Sequence, residues 1–110
     1  MAIDNSLYDS LENTYIKIKE YFDNTQLGRE HSTMIIKHEE LSELLETFDI
    51  EALEEQSNDI NSLHKQLDDI KEISTNIVEN LNNKVDSIST ADKVVSGLDK
   101  VFTKITKLVL

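Results

Sequence analysis

The sequence predicts an all-α protein of three to four helices, forming a helical bundle or an elongated antiparallel coiled coil. Three observations carry this. Proline is absent and glycine occurs only at Gly28 and Gly97, so the turn chemistry that strands require is missing. Apolar residues recur at steps of three and four through the first half of the chain. From Ile60 onward they repeat every seven positions. Residues 1–110 read as one helical domain.

The first helix is expected over residues 5–24. Leu7, Leu11, Tyr15, Ile18 and Phe22 form its apolar stripe, with Asp4 or Asn5 as the cap. The run from Asp23 to Gly28 interrupts the pattern, and Gly28 can adopt the positive φ that a residue just past a helix end often needs. A second helical region, 29–56, carries Met34, Leu41, Leu45 and Phe48, with His38 on the same face. Ala52 and Leu53 do not continue that spacing, so a break is expected near 47–49, with Thr47 or Asp49 starting the next turn.

The region 57–110 holds the heptads. Ile60, Leu67, Ser74, Leu81, Ile88, Val95, Phe102 and Val109 occupy one series (position a). Leu63, Ile70, Ile77, Lys84, Ala91, Leu98 and Ile105 occupy the other (position d). One continuous helix over this region would be ~75 Å long at 1.5 Å per residue. A small domain holds such a length only as a rod or as a fold-back. The segment Ser87 to Asp92 offers a break near 86–90, with Ser89 and Asp92 at capping-box spacing.

A heptad stripe is stable only against another helix, and each buried Leu or Ile contributes ~1.5–3 kcal/mol. The chain's own first helices or a second protein must supply that surface. The residues expected to make the interface are Leu63, Leu67, Ile70, Ile77, Leu81, Ile88, Leu98, Phe102 and Ile105. Ser74 and Lys84 are polar core positions that fix register and partner choice. A Lys at d repels its own copy in a parallel homodimer, which favours a hetero-oligomer or an antiparallel hairpin.

Charge and motifs narrow the function. Net charge is −11, from 22 acidic and 11 basic residues, which argues against binding nucleic-acid phosphates. Cysteine is absent, so there is no disulfide framework and no thiol nucleophile. Residues 1–11 lack the basic and apolar regions of a signal peptide, and no stretch approaches the ~20 apolar residues of a membrane span. A cytoplasmic protein without an integral membrane segment is expected.

His31, His38 and His64 show no His-x-x-x-His or Glu-x-x-His spacing. The pair His64 and Asp68 is the nearest approach to a metal site, and a surface pairing explains it better. His38 is expected at the rim of a core. The acidic runs at Glu39, Glu40, Glu43 and Glu46, and at Glu51, Glu54 and Glu55, read as solvated faces that a basic partner would relieve. No phosphate loop, nucleophile elbow or calcium loop is present. Catalytic, metal and cofactor-binding residues are therefore not expected.

From Lys93 to the end the chain carries four Lys and one Asp, which leaves −14 on residues 1–92. Leu98, Val101, Phe102, Ile105, Leu108 and Val109 form a broad apolar face there. Such a helix either touches an anionic membrane peripherally or docks on acidic helices, and the acidity of the rest favours docking. The expected function is a non-enzymatic structural or adaptor subunit that binds other helical proteins. Two rivals are a secretion-associated helical protein, substrate or chaperone, and an acidic nucleic-acid mimic that inhibits a basic site.

Overall fold

A computed structural model describes residues 6–83 and 86–109. Every element in it is helical: α1 (Ser6–Asp23), a 3₁₀ turn (Arg29–His31), α2 (Ser32–Thr47), α3 (Ile50–Gln56), α4 (Ile60–Asn83) and α5 (Ser87–Val109). The α-helix count is five, above the three to four expected, because both anticipated breaks split a helix in two. Asp4, Asn5 and Lys84, and the side chain of Val109, lie outside the described residues.

Three aspartates decide where the later helices begin. Asp49 Oδ1 accepts the Ala52 N–H at 3.1 Å, and Asp59 Oδ1 accepts the Ser62 N–H at 3.1 Å. Asp86 Oδ1 accepts the Ser89 N–H at 2.7 Å. Each satisfies an amide that has no partner inside the helix, a contribution of about 1 kcal/mol. Asp49 is one of the two residues expected to start a new turn. The expected Ser89–Asp92 box is corrected: α5 starts two residues before Ser89, and Asp86 caps it. Gly28 is a second correction. Its φ is −121°, in the extended region open to any residue, and it serves as the cap of the 3₁₀ turn, not as the end of α1.

The chain does not extend as a single rod. Its principal extents are 45 × 21 × 18 Å. The fold-back comes between α4 and α5, which run antiparallel: Asn83 lines one groove with Asp92, while Leu63 lines another with Leu108. α4 also packs on α1, and α2 packs on both α1 and α5, so each of the four longer helices touches two others. Gly97 of α5 sits tightly against Ile77 of α4. A Cβ there would lie 2.5 Å from Ile77 Cγ1.

One core joins all five helices. Leu7, Leu11 and Ile18 enter from α1, Met34 and Leu41 from α2, and Ile50 and Leu53 from α3. α4 buries Leu63, Leu67, Ile70, Ser74, Ile77 and Leu81, matching the expected a and d positions. α5 departs from expectation. It buries Thr90, Ala91, Val94, Leu98, Val101 and Ile105, so Val94 and Val101 replace the a positions. Val95 and Phe102 sit partly buried at the edge of the core, and Ile88 is 62% exposed. α5 has α4 on one side and α2 on the other, and the resulting rotation moves the a series to the rim.

Ser74 is the polar core position that sequence identifies, and its partners lie on α1. The Ser74 hydroxyl donates to the Ser10 carbonyl at 3.1 Å. It also bonds the Thr14 hydroxyl, which is itself within 3.0 Å of the same carbonyl. This satisfied polar layer tolerates one alignment of α1 against α4, because a slip would strand buried hydroxyls.

Candidate protein-interaction face

The expected interface residues are mostly covered by the chain itself. Leu63, Leu67, Ile70, Ile77, Leu81, Leu98 and Ile105 share the internal core, each no more than 7% exposed. Phe102 is partly buried and lies under the Lys37 ammonium, 5.9 Å from the ring centroid. Ile88 alone of this set stands in solvent. The apolar face of α5, through Val94, Leu98, Val101 and Ile105, is likewise buried, as docking on the chain's own helices requires.

What the surface presents comes from other residues. Ile16 on α1 is 45% exposed and Ile36 on α2 is 55% exposed. Both follow from helical arithmetic. Met34 and Leu41 point α2 into the core, and Ile36 stands about 200° from Met34 at 100° per residue. It shares the outer stripe with Ser32, Glu39, Glu40, Glu43 and Glu46, all exposed. On α1 the outer stripe is Asp9, Glu12, Ile16, Lys19, Glu20 and Asp23. Two adjacent helices thus each carry one isoleucine within an acidic surround. Ile16 lies two residues from the buried Ile18, as Ile36 does from Met34, and two residues are about 200° on a helix, so each isoleucine stands on the side away from that buried neighbour.

Two of the lysines near this face, Lys17 and Lys37, are engaged in ion pairs, while Lys19 stands exposed on the outer stripe of α1. Lys37 Nζ lies 2.8 Å from Asp99 of α5 and 3.6 Å from Glu40, and Lys17 pairs with Glu20 at 3.4 Å. The hydrogen bond to Asp99 holds the Lys37 ammonium above its ordinary pKa despite some desolvation. On α2 itself the outer stripe holds four glutamates, of which Glu40 pairs with Lys37.

Beneath the face lies an aromatic cluster. His38 stacks on the Tyr15 ring with centroids 4.1 Å apart, and Phe22 meets it edge-on at 5.3 Å. His38 Nε2 donates to the Tyr15 carbonyl at 3.0 Å. Burial pushes the His38 pKa down, against the raising effect of that carbonyl. The histidine is a packed rim residue, as its place on the apolar stripe implied.

Among the described residues no group of three or more His, Asp or Glu side chains could hold a metal ion. His64 approaches Glu54 Oε2 at 3.8 Å, and its partner is thus on α3 and not Asp68. Glu54 Oε1 is buried without a hydrogen-bond partner. An open groove between α4 and α5 is lined by Asn76, Asn80, Asn83, Lys93 and Lys100. None of the described helices is long and apolar enough to cross a membrane. No protein-family model matches the chain, and neither a curated protein nor a solved structure matches it.

Proposed function

We propose that the chain is a non-catalytic adaptor, a four-helix bundle with α3 as a short corner, that binds another helical protein through the outer face of α1 and α2. The partner is basic and carries an apolar stripe. The observation that supports this most is Ile36, 55% exposed and one turn before an exposed acidic stripe of Glu39, Glu40, Glu43 and Glu46. A helix with Lys or Arg beside Leu or Ile would cover the isoleucine and relieve the repulsion between Glu39 and Glu43. A cytoplasmic setting fits a chain without cysteine.

The heptad residues do a different job in this reading. They hold the module together, and the partner meets what they leave outside. An amphipathic Lys/Leu helical peptide tests the proposal. Titrated into the labelled protein at physiological salt, it should perturb the amide resonances of Ile36, Glu39, Glu40 and Glu43 first, and Ile36→Ser should weaken binding about tenfold or more. Perturbation spread evenly over every acidic residue, or centred on α4, would sink the reading. A nucleic-acid mimic would differ in losing binding steeply with salt while ignoring Ile36→Ser.

A further inference from the structure

The segment between α1 and α2 is closed by a fully buried histidine, His31. The Gly28 N–H donates to its Nδ1 at 3.0 Å. With Nδ1 accepting, the ring proton of the neutral imidazole belongs on Nε2, which faces the Tyr21 hydroxyl oxygen at 3.1 Å. Both nitrogens are committed. The ring cannot take its second proton, on Nδ1, while the Gly28 amide occupies that lone pair.

One carboxylate stands ready. Glu30 Oε1 lies 3.8 Å from Nδ1, and the same oxygen accepts the Ser87 hydroxyl at 2.8 Å, at the first residue of α5. The groups facing the ring are thus the Tyr21 phenol from α1, Glu30 from its own turn and, through that carboxylate, Ser87 from α5. Burial, reinforced by the Glu30 charge, raises the Tyr21 pKa, so the phenol stays neutral. The Glu30 carboxyl is held below its ordinary pKa by its own backbone amide and by Ser87, so it stays ionised in mild acid.

We propose that His31 and Glu30 form a proton-operated clamp on this end of the molecule. A proton from solvent bonds to Nδ1, the Gly28 amide is displaced, and Glu30 Oε1 moves onto the imidazolium and releases Ser87. One charged pair then replaces two hydrogen bonds. Leu27 directly precedes Gly28 and Ile88 directly follows Ser87, and they are 43% and 62% exposed. The two hydrogen bonds that the proton breaks thus each adjoin an exposed apolar side chain.

Nuclear magnetic resonance of the whole chain between pH 8 and pH 5 tests this, with the three imidazoles resolved by residue. At pH 8, His31 should be the Nε2–H tautomer. On acidification the Gly28 amide should lose exchange protection together with the change in the His31 ring signals, not with those of His38. Glu30→Gln keeps an acceptor for Ser87 but removes the charge that meets the imidazolium, so loss of Gly28 protection should need a lower pH. Ser87→Ala removes the competitor and should bring that loss at a higher pH. An Nδ1–H tautomer at pH 8, a Gly28 amide protected throughout, no protonation of His31 down to pH 5, or an unaltered pH for that loss in Glu30→Gln would each overturn the clamp.

Discussion

α4 and α5 belong to one unbroken heptad count, yet they bury different faces. α4 buries a and d in strict alternation from Leu63 to Leu81. α5 keeps the d series at Ala91, Leu98 and Ile105 but takes Val94 and Val101 in place of Val95 and Phe102. The sequence of α5 permits either choice, because Val94-Val95 and Val101-Phe102 place apolar residues at both positions. A heptad reports that a helix has a seam. The d series carries across the connection before Ser87, and the second buried series is set by the neighbours of α5, which has α2 as well as α4 against it.

The largest expected effect comes from a residue both registers place inside. Leu98→Ala, at a site with no exposure, should cost about 2–5 kcal/mol in urea unfolding. That value sets the scale without choosing between registers. The choice comes from the neighbouring valines. Val94→Ala should cost about 1–3 kcal/mol, from the lost methyls and the cavity they leave, and Val95→Ala less than half of that. Equal costs, or the reverse order, would break the distinction between α4 and α5.

The comparison also marks what the residues alone disclose. The helical class was legible from absent proline and from apolar spacing, and α4 was legible almost residue by residue, Ser74 included. Its partner Thr14 was not, since a threonine one step from Tyr15 gives no sign of facing a serine 60 residues away. Asp86 is the cap of α5, but the Ser89–Asp92 spacing carries the stronger sequence signal and points to a later start. The outer face was hidden for a related reason. Attention to the seam favours residues that pack, whereas Ile16 and Ile36 are defined by failing to fit one. His31 lies off every stripe, and its burial follows from the 3₁₀ turn that a regular periodicity does not anticipate.

The smallest effect on stability is expected at Ile88, which the heptad count makes a core residue and the structure leaves in water. Ile88→Ser should change unfolding free energy by no more than about 0.5 kcal/mol, as for an exposed site without partners in the core. A loss comparable to Val94→Ala would restore the a series and undo the rotation of α5. Sedimentation at rising concentration separates the remaining possibilities. If Ile88 seats against a second molecule, Ile88→Ser should reduce association while the melting of the dilute monomer stays the same. Ile36→Ser gives the matching measurement on α2. An effect at Ile88 without one at Ile36 would move the binding surface from the acidic pair of helices to the end where α5 begins.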